Sequence, residues 1–190
     1  VLFFQVVGDQ ARVFDEIYLR GVISGDIISM VEQHRSFPDL NHIVMDVAAK
    51  SHHNAQESAM EEWRNHFGPL GISVVGRYVG IEDGLAVTRR RLRVDPMTNQ
   101  PLTLINPRCS NLIFELESGY RYHERRGTGE IAREKPEDKG NDACKAMAYW
   151  YMDRYGYSDI KTLLPGPVSS LSPYDRAFQA RRQGYAGARR

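Results

Sequence analysis

The sequence has few cysteines, no long apolar run and no large excess of charge of either sign. Its 190 residues include two cysteines, Cys109 and Cys144. They lack the spacing of a metal site and are too few for a disulfide-stabilised secreted scaffold, so we expect reduced core thiols in a cytosolic protein. No apolar stretch reaches the length needed to span a membrane and no signal peptide opens the chain, so we expect no membrane association.

The charge balance and the absent motifs exclude several function classes. The formal net charge is +1, so only local clusters of Arg or Lys can indicate binding to nucleic acid. The sequence contains no Walker-type phosphate loop, no G-x-G-x-x-G and no G-x-S-x-G motif. ATP hydrolysis by this chain alone is therefore disfavoured.

The order of apolar patterns predicts an α/β fold. Two β-type runs, residues 1–7 and 11–19, are joined by a short Gly-containing connection, and helical and strand patterns then alternate. This order predicts a mixed sheet with helices on both faces. We predict one domain over residues 1–157, followed by an irregular tail over residues 158–190 that is flexible or binds a partner.

The first candidate site residue is Asp46, at the end of an apolar run over residues 42–48. The near-continuous hydrophobicity of this run is typical of a central strand that is covered on both faces. A carboxylate at the carboxyl end of such a strand lies at the edge where open α/β sheets bind ligands. Alternatively, Asp46 only caps the turn that follows.

The second candidate is Asp142, which a Pro- and Gly-containing loop delivers to the start of a helix predicted over residues 143–155. Asn141 suits the N-cap, and the helix dipole favours a carboxylate at Asp142, so a helix cap is one interpretation. The other is that Asp46 and Asp142 meet at one sheet edge and hold Mg²⁺ or Mn²⁺. Two carboxylates are too few for a pair of ions, so we expect at least one further ligand that this chain lacks.

Clusters of basic residues favour contact with DNA. Arg89, Arg90 and Arg93 lie on a helix predicted over residues 85–94, at a spacing that puts Arg89 beside Arg93. Such a row contacts successive backbone phosphates without reading sequence. The alternative is a solvated helix face.

A second basic cluster, which includes Arg125 and Arg126, lies on a projecting hairpin predicted over residues 120–133. We interpret this hairpin as a DNA guide or as a plain exposed hairpin. Lys139 and Lys145 flank Asp142 in the sequence. We assign Lys145 to DNA binding, and Lys139 either neutralises charge on a cleaved phosphate or pairs with Asp138.

Five stretches follow one another in an order and spacing that is typical of a known family: 14–18, 43–48, 71–84, 106–116 and 136–149. In this order, the first stretch is the second strand of the opening hairpin and the second is a strand with an Asp near its end. The third is a Gly-Ile passage before a basic helix, and the fourth is a helix that contains Pro, Cys and Asn-Leu-Ile. The fifth is the closing loop and helix. From residue 1 to about residue 155, the chain resembles the C-terminal nuclease domain of the large terminase subunit of tailed bacteriophages, the DNA-packaging motor.

The resemblance implies an RNase H-like fold and two-metal, sequence-tolerant endonuclease cleavage of double-stranded viral DNA during genome packaging. It implies that Asp46 and Asp142 bind the metal, with Mg²⁺ or Mn²⁺ as cofactor. It also implies an ATPase domain upstream in the parent protein, portal and small terminase partners, and a location in the host cell cytoplasm.

Two departures from the family pattern leave other functions open. The family's first metal-binding aspartate lies on a strand before the opening hairpin, and we expect that strand to be absent here. In many members the last motif reads Asn-His-x-x-Asp-Ala, and this chain has Lys145 where that motif has its aspartate. Asp142 matches another variant of the family, which has an aspartate at the start of the helix. The alternatives are a DNA- or portal-docking module without activity and another RNase H-like nuclease of the transposase or resolvase type.

Overall fold

The computed structural model describes residues 1–50, 57–119, 122–124, 131–136 and 140–161, with only the backbone at 118–119, 122–124, 131–136 and 157–161. The chain divides into two units, Val1–Tyr157 and Ser158–Arg190. The first unit forms the fold described below. Beyond the end of the last helix, the predicted tail lies outside the described residues.

The elements alternate largely as the sequence predicts. In chain order they are β1 (Leu2–Val7), β2 (Gln10–Glu16), α1 (Ser24–Glu32), β3 (His42–Asp46), α2 (Ala59–Phe67), β4 (Ser73–Arg77), α3 (Ile81–Arg91), β5 (Val94–Asp95), β6 (Gln100–Pro101), β7 (Thr103–Ile105), α4 (Ser110–Phe114), β8 (Tyr122–Glu124), β9 (Ile131–Pro136) and α5 (Asp142–Lys161). Helix α4 continues as a π-helical segment over Glu115–Gly119, and α5 is interrupted at Gly156. Among the described residues, no helix is both long and apolar enough to cross a membrane.

The strands form small sheets of mixed direction. β1 and β2 form the predicted antiparallel hairpin, and β7 adds to β2 in parallel. Gly8 begins the tight hairpin connection with a φ of 60°, a conformation that glycine adopts at little cost. β3 and β4 pair in parallel. β8 and β9 are antiparallel, which confirms the predicted second hairpin in the part of the chain that is described.

Helices α1 and α2 cover one face of these strands. The predicted inward residues of α2, Met60, Trp63 and Phe67, are all buried, and a capping box between Ser58 and Glu61 begins the helix. One apolar cluster joins α1 and α2 to β1 and β4, and residues of β3 pack against it. Its buried members are Phe3, Ile28, Val31, Trp63, Phe67, Ile72 and Val74.

Helix α5 covers the opposite face. The ring of Phe4, the neighbour of Phe3 in β1, stacks on Trp150 with ring centroids 4.0 Å apart. Asp153 accepts hydrogen bonds from His42, at 2.7 Å, and from Arg77. Since one helix contacts both β1 and β3, the two sheets share a helical layer on each face. The predicted α/β class is confirmed.

The contacts of α5 also fix the strand directions. Asp153 of α5 contacts His42 at the start of β3. Tyr149, one turn earlier in α5, contacts Asp46 at the end of β3. β3 therefore runs antiparallel to α5. In the described part of the chain β3 pairs only with β4, and no ladder joins it to β1.

Candidate functional site

Asp46 lies at the carboxyl end of β3 and is half-buried. Its Oδ2 accepts a hydrogen bond from the Tyr149 hydroxyl at 2.7 Å, and its Oδ1 accepts one from the backbone N–H of Ala48 at 2.9 Å. The second bond is the turn cap that was one interpretation of this residue. The first bond holds the carboxylate against α5 at the sheet edge, as the other interpretation requires.

Asp142 is the first residue of α5 and is exposed. The carbonyl of Asn141 accepts the first intrahelical bond, from the N–H of Lys145 at 2.8 Å, which confirms Asn141 as the N-cap. Asp142 lies close enough to Tyr18 and Arg20 to influence both. Arg20 lowers the pKa of the Tyr18 hydroxyl, but burial and the carboxylates of Glu115 and Asp142 outweigh it and raise that pKa overall.

Glu115 lies at the same end of α5 and was not among the predicted site residues. It is 2% exposed, and its oxygens accept hydrogen bonds from the Tyr18 hydroxyl and from the backbone N–H of Cys144, each at 2.9 Å. The Cys144 N–H is one of the groups that the first turn of a helix leaves unpaired. A carboxylate from the end of α4 therefore caps α5 and joins it to the chain that follows β2.

Asp142 is part of α5 and Asp46 is bonded to it, but the two acids lie at different positions along the helix axis. Asp142 precedes Tyr149 by two helical turns, which is about 10 Å along the helix axis. Among the described residues, no group of three His, Cys, Asp or Glu side chains could hold a metal ion. The donor chemistry fits a hard cation such as Mg²⁺ or Mn²⁺, while the described ligands are too few for a site.

The helix that carries the arginines is shorter than predicted at its end. Helix α3 ends at Arg91, so Arg93 lies beyond it, and the prediction of one helix carrying Arg89 and Arg93 side by side is wrong. Arg89 is exposed, whereas Arg90 is half-buried, with its Nε and Nη1 atoms out of solvent. Arg91 points inward, donates to the carbonyls of Asp9 and Leu102, and lies over the Tyr155 ring.

A cavity of about 390 Å³ lies between α3 and α5. Arg89 and Lys145 line it from opposite helices, together with Tyr149, whose hydroxyl holds Asp46. The structure thus brings two of the predicted DNA-binding residues to one cavity next to Asp46. Lys139, Arg125 and Arg126 lie outside the described residues, and their predicted roles stay predictions.

Both thiols are buried, as predicted, and neither forms a disulfide. Burial raises the pKa of Cys109 to about 11 and that of Cys144 to about 12, with nearby carboxylates adding to the effect. Neither thiol is therefore a nucleophile at neutral pH.

Comparisons of the chain with protein-family models, with curated proteins and with solved structures gave no match.

Proposed function

We propose that this chain is the nuclease domain of a phage large terminase subunit, a divalent-metal-dependent endonuclease with an RNase H-like sheet that cuts double-stranded viral DNA. One observation carries the proposal. Asp46, at the carboxyl end of a parallel strand, is hydrogen-bonded to Tyr149 of the helix whose first residue is Asp142. Two acids from distant segments are therefore attached to one helix, which supports a metal site between a strand and this helix.

The direction of the strands supports this reading. The chain after β2 is joined to the start of α5 because Glu115 bonds both Tyr18 and the Cys144 N–H. The carboxyl end of β3 also contacts the first half of α5, through Asp46 and Tyr149. Ligands of open α/β sheets bind at the carboxyl ends of strands. The proposal also needs a third carboxylate, which the resemblance to the terminase family places on a further strand.

In the proposed site, Asp46 and Asp142 would hold Mg²⁺ or Mn²⁺ together with a further carboxylate, and the bound ions would stabilise the charge on the oxygens that enter and leave the phosphate. The side chains described here have separate tasks. Tyr149 orients Asp46 through its hydroxyl, and Arg89 and Lys145 hold backbone phosphates by charge. The upstream ATPase domain, the portal and the small terminase subunit remain the partners proposed for the parent protein.

Plasmid cleavage by the parent protein in Mn²⁺ tests the site. Asp46→Asn and Asp142→Asn keep the side-chain shape but remove the charge. Each should reduce cleavage by more than the roughly 10–100-fold that loss of a supporting partner costs. Asp26→Asn is the matched control, because Asp26 is also an exposed acid in the first turn of a helix. Unchanged cleavage in both site variants would show that the assignment is wrong.

The second candidate is a DNA- or portal-docking module without activity, for which Arg89 and Lys145 at one cavity offer two cations to backbone phosphates. Fluorescence anisotropy with duplex DNA, with and without divalent metal, separates the two functions. Metal-independent binding without cleavage supports the docking module. Another RNase H-like nuclease, of the transposase or resolvase type, would cleave, but its parent protein would carry no ATPase domain.

A further inference from the structure

The cavity between α3 and α5 has a feature that the proposed cleavage site does not use, an apolar wall. The two helices meet closely at Gly84, where an added Cβ would lie 3.2 Å from the Cβ of Ala148 and 3.3 Å from Cγ1 of Val79. Gly84, Ala148 and Val79 all line the cavity. The remaining apolar lining comes from Ile81, Leu85, Leu92 and Leu116.

The charged residues of the cavity have one sign. Arg89 contributes from α3 and Lys145 from α5, and no carboxylate is among the described residues that line it. Two cations on facing helices, above an apolar wall, suit a ligand that has both an anionic group and a flat apolar part.

An aromatic side chain extends the apolar surface outward. Tyr78 lines the cavity and is 78% exposed, which is unusual for a large ring without a partner to cover it. It directly follows Arg77, the residue that pairs with Asp46 in the β3–β4 ladder. The exposed ring therefore lies at the same sheet edge as the candidate metal ligand.

We propose that this cavity binds one unpaired nucleotide of a single DNA strand, with the base against the apolar wall and Tyr78, and the phosphate on Arg89 and Lys145. Bases in a duplex are stacked and cannot enter such a cavity, whereas every unpaired base offers a face for stacking. The inference rests on the proposed function only in taking DNA as the ligand. It adds that the domain prefers frayed or single-stranded DNA next to the site of cleavage.

The test is a titration of the purified chain in EDTA with a fluorescein-labelled single-stranded oligonucleotide and with the matching duplex. The single strand should bind more tightly than the duplex. Tyr78→Ala and Arg89→Gln should each weaken binding of the single strand about 10-fold. Arg89→Gln should also reduce the slope of log K against log salt concentration by about 0.7, the value expected for one lost phosphate contact with a single strand.

Two control variants separate this effect from general damage. Tyr78→Phe keeps the ring and should bind like the unaltered chain. Arg35→Gln removes an exposed arginine that lies just beyond α1, in the opposite helical layer, and should change affinity by less than about twofold. A 2-aminopurine base in the strand should lose fluorescence on binding to the unaltered chain but not to Tyr78→Ala.

The proposal is overturned if the duplex binds as tightly as the single strand, or if Tyr78→Ala and Arg89→Gln leave binding unchanged. Deoxyadenosine monophosphate that competes as well as the oligonucleotide would also overturn it, since the cavity would then bind a free nucleotide. EDTA prevents cleavage, so these results do not depend on the nuclease assay. A failure of the proposed catalytic function leaves them standing, and their failure leaves the cleavage test intact.

Discussion

Replacing Glu115 by alanine should loosen the start of α5, where Asp142 lies. The Glu115 carboxylate is 2% exposed and accepts hydrogen bonds from two donors, the Tyr18 hydroxyl and the Cys144 N–H. Glu115→Ala leaves two donors without this acceptor, the backbone N–H of the buried Cys144 and the partly buried hydroxyl of Tyr18. It also removes a negative charge from the positive end of a helix dipole.

The expected cost follows from these losses. A buried donor without a partner costs about 1–3 kcal/mol, so we expect Glu115→Ala to lower the free energy of unfolding by about 3 kcal/mol. Glu115→Gln can still accept from the Cys144 N–H and can donate to the Tyr18 oxygen. It should cost about 1 kcal/mol, mainly through the lost charge. Tyr18→Phe should also cost about 1 kcal/mol.

Urea unfolding followed by tryptophan fluorescence measures these differences. Glu117→Ala is the matched control, because Glu117 is an exposed acid in the same segment, and we expect a change within about 0.5 kcal/mol. The double variant Tyr18→Phe/Glu115→Ala should cost less than the sum of the single variants, because one hydrogen bond is lost in both. If Glu115→Ala is as mild as the control, the carboxylate does not cap α5 and the reasoning fails.

Three further results are expected. Tyr149→Phe removes the hydroxyl that holds Asp46 and should lower Mn²⁺-dependent cleavage about 10–100-fold while DNA binding is retained; equal loss of binding would contradict a positioning role. Neither Cys109 nor Cys144 should react with a thiol reagent at pH 8 in the folded protein, because burial holds their pKa values at about 11 and about 12, and both should react in denaturant. Burial tends to raise the pKa of Asp153, but Arg77 and His42 outweigh it and lower that pKa. The stability that Asp153 contributes should therefore be complete above the unfolded pKa of about 3.9 and should be lost as the pH falls through the lower folded pKa. In that pH range, the urea midpoint of Asp153→Asn should depend less on pH than the midpoint of the unaltered chain.

Local periodicity was sufficient to predict most elements and their inner faces. The positions of Met60, Trp63 and Phe67 recur at helical spacing, and their burial depends only on which side of α2 faces a core. The opening hairpin is equally local, since a short Gly-containing connection permits few other arrangements. Patterns of this kind need no information about distant segments.

The candidate site depends on distant segments, and there the sequence was less informative. Arg91 is buried because carbonyls at Asp9 and Leu102 receive its guanidinium, and nothing in the adjacent arginines distinguishes it from Arg89. The helix also begins four residues before the predicted start at Leu85, and it ends at Arg91, before Arg93. Glu115 gave one usable signal, an acid between Leu112 and Leu116 on the inward side of a helix, and such a residue has to find a buried partner.

Helix α5 is held at two places by different chemistry, and this bears on how the proposed site is assembled. Near its start, Glu115 caps the helix and fixes Asp142 relative to the chain after β2. Three turns later, Asp153 fixes the helix to β3 and β4 through His42 and Arg77. Asp46 depends on Tyr149, between these two anchors. Asp142 is part of α5 and Asp46 is bonded to it through Tyr149, so the spacing between the two acids depends on the position of this helix.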